Sequence, residues 1–195
     1  MNNSIKYYYI NLDSRIDRNK HIINQFSEFG ITNYERIPAI KESNGHIGCT
    51  KSHILAMETF IVSGLDRCII LEDDFEFTIT QNIYNDLLLK LDNNIDWNIV
   101  MLSGNIKQQK DYNDFLKICL NAQTTAGYMV NRKFSNILLE NYAEGLNLFL
   151  SPKGNQGQHC IDQSEDNKWF VFSPRCGRQM QGFSDIEGRK TFYGC

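Results

Sequence analysis

Three adjacent acids, Glu72, Asp73 and Asp74, directly follow a short apolar run at residues 68–71, and we call them the acidic triplet. Carboxylates held side by side repel one another, so they need a counter-charge if all are ionised. In an extended chain Glu72 and Asp74 point to one face and Asp73 to the other. Two carboxylates on one face suit Mg²⁺ or Mn²⁺, which often bind through carboxylates plus substrate phosphates. The acidic triplet therefore predicts a metal that bridges Glu72 and Asp74 to a diphosphate.

Three other interpretations of the acidic triplet stay open at this point. It fits a solvated turn after a strand. It also fits the acidic pair of a response-regulator receiver, although that pair follows the first strand and this triplet comes only after about seventy residues. A two-metal nuclease or phosphatase would need further, well-separated ligands, which Asp162, His159 and Asp185 can supply.

Two arginines near the N-terminus suit an anion. In the stretch INLDSRIDRNKHI a predicted strand ends at Asn11 and Leu12, and Arg15 and Arg18 fall in the first turn of the following helix. Backbone N–H groups and the helix dipole favour anions there, and arginine adds bidentate donors. The alternative is a surface helix whose own acidic residues pair with these arginines.

Two more segments carry groups that bind nucleotides or sugars. The stretch GHIGCTKSHILAM places Ser52 and His53 near the start of a helix, where His53 either contacts a ligand or satisfies a buried helix end. The tail PRCGRQMQGFSDIEGRKTFYG, which contains Gln179 and Asp185, is polar and rich in glycine. Because it also holds aromatic and aliphatic residues, which disordered tails lack, we expect an ordered loop that closes over a site.

The elements that position these residues alternate between strand and helix. Strands are expected at 7–12, 34–40, 68–71, 99–102, 115–120, 125–130 and 169–172, from their aromatic and β-branched content. Helices are expected from a cap at Asp13 or Ser14 to Gly30, and at 50–63, 82–91 and 132–142. The alternation predicts an α/β sheet with helices on both faces. In such sheets ligands lie beyond the carboxyl ends of the strands, where the acidic triplet falls.

Composition limits the class of protein. The chain has 195 residues and 42% hydrophobic content, which fits one domain spanning 1–195. The net charge of −3 and the lack of a basic block disfavour nucleic-acid binding. No apolar run reaches the ~20 residues of a transmembrane span, and the N-terminus lacks a signal peptide, so we expect a soluble, cytoplasmic protein. The six cysteines form no CxxC pair, which disfavours a zinc knuckle and suggests reduced thiols.

Together these segments resemble the glycosyltransferase family 25 domain, which includes bacterial lipopolysaccharide glycosyltransferases and collagen galactosyltransferases. The matching stretches occur in the order of the family and are YYYINLDSRIDRNKHI, IPAI, GCTKSHILAM, CIILEDD, TTAGYMVNRKFSNILLE, the pair Ile161-Asp162, and SPRCGRQMQGFSDIEGR. The resemblance covers nearly the whole chain from about residue 6. Residues from about 103 to 121 match no motif of the family.

The resemblance implies a GT-A fold, with a mixed central sheet and helices on both faces. It implies a nucleotide-sugar-binding half at about 1–104 and an acceptor half with a closing loop at about 105–195. The donor would be a UDP-sugar carrying galactose or glucose, the ion Mn²⁺ or Mg²⁺, and the transfer would invert the anomeric centre. The acceptor would be a glycan, a lipopolysaccharide sugar or a hydroxylated protein.

The resemblance also implies roles for single residues. The metal ligands would be Glu72, Asp74 and Asp185, although Asp185 could instead stabilise its own loop. The catalytic base would be Asp162, although an aspartate there also suits a helix cap. The family motifs map donor binding onto Asn11, Leu12, Arg15, Arg18 and Asp73, and the two polar segments described above add Ser52, His53 and Gln179 as expected donor contacts. Two alternatives to a transferase remain, a two-metal phosphoesterase and a catalytically silent relative that binds a sugar nucleotide.

Overall fold

The structure of the protein is a computed structural model that describes residues 5–92, 95–151, 168–186 and 188–191. Strands and helices largely alternate in the first half of the chain, as the sequence predicts, whereas the second half contains runs of consecutive strands. The strands are β1 (Lys6–Asn11), β2 (Tyr34–Pro38), β3 (Arg67–Glu72), β4 (Phe75–Phe77), β5 (Ile99–Asp111), β6 (Leu116–Asn131), β7 (Trp169–Phe172), β8 (Gly177–Gln179), β9 (Gly182–Ser184) and β10 (Arg189–Thr191). The helices are α1 (Ile16–Glu28), α2 (Gly45–Ser63), α3 (Gln81–Asp92) and α4 (Arg132–Leu150).

The central sheet has six strands in the order β2-β1-β3-β6-β5-β7. β1 runs parallel to β2 and to β3, whereas β6 is antiparallel to both β3 and β5, so the sheet is mixed. Ile10 is opposite Glu72 and Asn11 is opposite Pro38, so the carboxyl ends of three parallel strands meet at one edge. The acidic triplet lies at this edge, where open α/β sheets bind their ligands.

Helices cover both faces of the sheet, which confirms the expected layering. Because side chains alternate along a strand, Tyr7 and Tyr9 of β1 belong to one hydrophobic cluster and Tyr8 to the other. The first cluster takes its helical members from α1 and α3, and the second takes them from α2 and α4. Within the described residues, no helix is long and apolar enough to cross a membrane.

Two helices begin differently from the sequence prediction. α2 begins at Gly45 rather than at residue 50, because the Asn44 side chain accepts a hydrogen bond from the His46 backbone N–H at 3.0 Å and caps the helix there. The predicted cap of α1 at Asp13 or Ser14 is wrong, since Arg15 occupies the cap position and makes no side-chain cap bond. Polar residues before a helix are frequent, and the sequence alone does not decide which of them caps.

The β5–β6 ribbon is longer than the short strands that the sequence predicts. β6 is one continuous strand where two were expected, and β5 extends nine residues beyond residue 102. Shifts in register interrupt the pairing between Met101 and Gln109, as bulges do. The outer part of β5 is polar and exposed, so it lacks the apolar alternation that predicts a strand.

Candidate active site

A cavity of about 190 Å³ lies beyond the carboxyl ends of β1 and β3, between the start of α2 and the C-terminal tail. Nine of the twelve site residues expected from the sequence line it. They are Leu12, Arg18, Ser52, His53, Glu72, Asp73, Asp74, Gln179 and Asp185. Two others touch this set, since Asn11 donates to Asp73 and Arg15 pairs with Asp185. The last, Asp162, lies outside the described residues, as does His159.

The acidic triplet does not alternate between faces as the extended-chain prediction requires. β3 ends at Glu72, and Asp73 and Asp74 form a turn, so all three side chains face the cavity. One guanidinium nitrogen, Arg18 Nη1, lies 3.0 Å from Asp73 Oδ1 and 3.0 Å from Asp74 Oδ2. The predicted placement of Asp73 on the opposite face is therefore wrong, because the argument assumes an extended chain up to Asp74, whereas the strand ends at Glu72.

The carboxylates of Asp73 and Asp74 are buried, and their charges are only partly neutralised. Burial and the Glu72 charge raise the pKa of Asp74 from 3.8 to about 7, against the opposing effect of Arg18. Burial also raises the pKa of Asp73, although Arg18 and Asn11 favour its charged form. Asp73 and Asp74 thus share one guanidinium, and the acidic triplet carries an excess of negative charge when all three acids are ionised.

Asp74 has an oxygen that suits a metal ion. Its Oδ2 pairs with Arg18, whereas its Oδ1 is buried and makes no hydrogen bond within the described part of the chain. A buried carboxylate oxygen without a partner is costly unless a ligand satisfies it. Glu72 lines the same cavity and supplies carboxylate oxygens next to it. The residues present therefore fit Mg²⁺ or Mn²⁺, which prefer oxygen ligands.

Glu72 is positioned from two directions. His53 Nε2 lies 3.4 Å from Glu72 Oε1, and Gln179 Nε2 donates to Glu72 Oε2 at 3.3 Å. On its other side His53 Nδ1 lies 3.0 Å from the hydroxyl of Tyr128, which is 3.1 Å from that of Tyr142. A chain of buried polar groups thus runs from the cavity into the core between α2, β6 and α4. His53 consequently makes a hydrogen bond in the core through one ring nitrogen and also faces the cavity.

Ser52 joins α2 to the segment after β2. Its hydroxyl donates to the Gly48 carbonyl at 2.7 Å and accepts from the Ile40 backbone N–H at 2.8 Å. The side chain therefore closes the cavity wall that runs from Ile40 to Gly48. Its expected contact with a donor stays a prediction.

Arg15 has acidic partners in the structure. It forms ion pairs with Asp17 and with Asp185 of the tail, and it lowers the pKa of the Asp17 carboxyl. The alternative of charges paired within one helix thus holds for Arg15, whereas Arg18 reaches the acidic triplet instead. The metal role expected for Asp185 and the donor role expected for Arg15 stay predictions.

The tail closes one side of the cavity. β8 pairs with β4 directly after the acidic triplet, and the Met180 N–H donates to the Asp74 carbonyl at 2.7 Å. A Cβ at Gly45 would lie 2.5 Å from the Ile186 Cα, so a glycine at the start of α2 permits the close approach of the tail. Ser184 and Asp185 line the cavity as a result.

The sequence analysis missed Cys49 and Arg36. Cys49 lines the cavity one helical turn before His53, and this spacing of four residues is the signal that could have identified it. Arg36 donates to the Asn11 side-chain oxygen and to its carbonyl, each at 2.9 Å, and so holds the amide that supports Asp73. No local pattern identifies Arg36, because this contact depends on how β1 and β2 align.

Residues 41–152 match the sequence profile of a family described as glycosyltransferase family 25 (LPS biosynthesis protein). The chain belongs to glycosyltransferase family 25. The matched span holds the acidic triplet, Ser52 and His53, whereas Arg18 and Gln179 lie outside it. The family resemblance expected from the sequence is thus confirmed, and the protein is a glycosyltransferase. No curated protein sequence matches the chain.

Solved structures resemble this family 25 protein in fold at low identity. A glycosyltransferase involved in the glycosylation of the major capsid of PBCV-1 has a TM-score of 0.53 at 9% identity, covering 94% of this chain and 95% of that one. A mannose-1-phosphate geranyltransferase from Thermus thermophilus has a TM-score of 0.47 at 9% identity, covering 96% and 74%. A197 from STIV has 0.46 at 9% identity, covering 86% and 81%. The mixed sheet and the first of these similarities confirm the expected GT-A-like fold.

Proposed function

We propose that the protein transfers a hexose, galactose or glucose, from a UDP-sugar to a hydroxyl acceptor, with Mn²⁺ or Mg²⁺ and with inversion. One observation carries the proposal: buried carboxylates at the ligand edge of the sheet share one guanidinium and leave Asp74 Oδ1 without a hydrogen-bond partner among the described residues. A divalent cation that binds together with a diphosphate would neutralise these carboxylates and provide a partner for that oxygen.

Glu72 and Asp74 would hold the ion, and Asp185 would add a ligand from the tail. When bound, the ion would neutralise the negative charge that develops on the departing diphosphate. Arg18 keeps Asp73 and Asp74 together, and Asn11 fixes the far oxygen of Asp73 at 2.7 Å. Gln179 and His53 orient Glu72 from opposite sides. These residues hold the carboxylates in place before the donor binds. The free energy of reorganising them during the reaction is therefore small.

Other residues would bind the rest of the donor. Leu12 and the start of α1 line the cavity beside the acidic triplet, at a helix end that favours phosphate. Arg15 would exchange its carboxylate partners for a phosphate. Ser52 would contact the donor from the cavity wall. We assign donor binding to the half of the chain up to about residue 104, completed by the tail, and acceptor binding to the half that follows.

The transfer step needs a base on the acceptor side. The base takes the proton of the acceptor hydroxyl, the oxygen attacks the anomeric carbon from the face opposite UDP, and the bond to the diphosphate breaks. We assign the base to Asp162. For the acceptor we propose a glycan, a lipopolysaccharide sugar or a hydroxylated protein, in keeping with a family described by lipopolysaccharide biosynthesis.

The test is release of UDP from a panel of UDP-sugars with Mn²⁺. We expect slow release from one hexose donor, abolished by EDTA and by Asp74→Asn, and unchanged in Asp86→Asn, which alters an exposed acid on α3. Cleavage of simple phosphate esters in place of UDP-sugars would show a two-metal phosphoesterase. Binding of UDP without turnover of any donor, even with an acceptor library, would show a silent relative.

A further inference from the structure

Three side chains of different chemistry converge at one side of the cavity. Cys49 and His53 are four residues apart on α2 and therefore lie on one face of the helix, and Glu72 ends the neighbouring strand β3. The Cys49 sulfur, a His53 ring nitrogen and a Glu72 carboxylate oxygen all lie within 4.8 Å of one another. We call this group the thiol–imidazole cluster. It differs from the acidic triplet because only Glu72 belongs to both.

The ligand types select a particular class of metal. Sulfur, imidazole nitrogen and a carboxylate together suit Zn²⁺, whereas Mn²⁺ and Mg²⁺ prefer oxygen alone. Zinc–ligand bonds of about 2.0–2.3 Å place neighbouring ligand atoms about 3–4 Å apart. A movement of about 1 Å by these side chains would therefore bring the cluster to zinc geometry. Three protein ligands leave a fourth position on the side of the cavity.

The surroundings hold the ligands in place. The Tyr128 hydroxyl lies 3.0 Å from His53 Nδ1, which directs Nε2 towards Glu72 at 3.4 Å. A ligating histidine usually makes such a bond through its other nitrogen, and that bond fixes the ring and the tautomer. Gln179 engages the second oxygen of Glu72 at 3.3 Å, so Oε1 is the oxygen on the side of His53.

We propose that Cys49, His53 and Glu72 bind Zn²⁺ at this family 25 cavity. On binding, the S–H bond of Cys49 breaks, its proton leaves to solvent, and the sulfur binds the metal. His53 binds through Nε2 while its Nδ1 proton stays on the side of Tyr128. Because Glu72 serves both clusters, bound zinc would withdraw it from the donor metal and inhibit transfer. This last consequence rests on the proposed function, whereas the binding does not.

Co²⁺ titration of the metal-free full-length protein, without nucleotide, tests the binding. A cobalt–thiolate bond gives a charge-transfer band in the near ultraviolet, which oxygen ligands do not give. The measurement uses a Cys160→Ser, Cys195→Ser background, so that these two thiols do not contribute. We expect one Co²⁺ per chain with this band, and full displacement by Zn²⁺.

Three further variants in this background separate ligands from neighbours. Cys49→Ser should abolish the band, and His53→Gln should weaken binding by more than about 100-fold, since even outer partners are worth about 10–100-fold. Tyr128→Phe should keep the band and weaken binding by about 10-fold. A band that persists in Cys49→Ser, or no band in the background protein, would overturn the inference.

Measuring UDP release alongside the Co²⁺ titration distinguishes failure of the zinc site from failure of the proposed function. If UDP release proceeds with Mn²⁺ but no cobalt–thiolate band forms, the zinc site is wrong and the transferase stands. If the band forms and depends on Cys49 but no UDP-sugar is turned over, the zinc site stands and the proposed function fails. If both hold, Zn²⁺ should inhibit UDP release in competition with Mn²⁺.

Discussion

Asp74→Asn should make the protein more stable at pH 8 in the absence of divalent ions, although it removes a proposed metal ligand. The asparagine oxygen still accepts from Arg18, which lies 3.0 Å from Asp74 Oδ2. The amide nitrogen of the asparagine replaces Asp74 Oδ1, a buried oxygen that has no hydrogen-bond partner within the described residues. The change therefore removes a buried charge and leaves the shape of the side chain almost unaltered.

The expected magnitude follows from the raised pKa of Asp74. In the unfolded chain the carboxyl loses its proton near pH 3.8, whereas in the folded protein it keeps it up to about pH 7. Between these values the folded state binds more protons, so the free energy of unfolding falls as the pH rises. Each pKa unit corresponds to about 1.4 kcal/mol, so the wild type should lose about 2 kcal/mol from this group between pH 5 and pH 7 and about 3 kcal/mol by pH 8.

Urea unfolding at pH 5 and pH 8, with EDTA present, measures this difference. The free energy of unfolding of the variant minus that of the wild type should rise by about 3 kcal/mol between the two pH values. Other titrating groups are shared by both proteins and largely cancel. At pH 8 a saturating divalent ion should stabilise the wild type and leave the variant unaffected, because binding to the folded state alone raises its stability.

Two matched variants give the prediction its controls. Asp86→Asn changes an exposed acid and should stay within about 0.5 kcal/mol of the wild type at both pH values. Asp73→Asn should be destabilising, because both Asp73 oxygens accept hydrogen bonds, from Asn11 and Arg18, and an amide nitrogen cannot accept. Equal pH dependence in Asp74→Asn and the wild type would refute the argument that Asp74 is buried with excess negative charge.

Three other outcomes are expected. Gly45→Ala should weaken the binding of UDP with Mn²⁺ in calorimetry, because its Cβ would lie 2.5 Å from the tail backbone and displace it. Gly145→Ala should leave the affinity unchanged, because a Cβ there meets nothing within 4 Å. Equal affinities of the two variants would contradict the closing role of the tail. Asp162→Asn should keep donor binding but lower transfer by about 10²–10⁴-fold, and wild-type transfer would exclude it as the base. Tyr84→Phe should cost about 1–3 kcal/mol in urea unfolding, because Tyr7 loses its 2.9 Å partner in the core; an unchanged stability would contradict that bond.

Elements with a strong apolar signal were predictable from the sequence. β1, β3 and β7 fall within one or two residues of the expected ranges. Each is a short run of buried apolar residues, a pattern that indicates a strand. Gly64 ends α2 with φ at 73°, a conformation that glycine adopts without strain. The position of the acidic triplet at the ligand edge followed from these elements alone, because it depends only on where β3 ends.

Contacts between distant segments were not predictable. Arg18 lies more than fifty residues before the acids that it pairs with, and Cys49 comes near Glu72 only because α2 packs beside β3. Hydrophobic periodicity and secondary-structure propensity describe residues that are close in sequence. These contacts depend instead on the order of the strands and on where the helices pack. The extension of β5 beyond residue 102 was missed for a related reason, since its outer residues pair with β6 through backbone bonds while their polar side chains are exposed.

The pairing of β4 with β8 has a consequence for synthesis on the ribosome. The backbone next to the acidic triplet gains its partner strand, and the bond from Met180 N–H to the Asp74 carbonyl, only after residues 177–180 have left the exit tunnel. A nascent chain halted at residue 173 should therefore leave these carboxylates open to solvent. This side of the cavity is thus completed only after the strands of the central sheet, up to β7, have been synthesised.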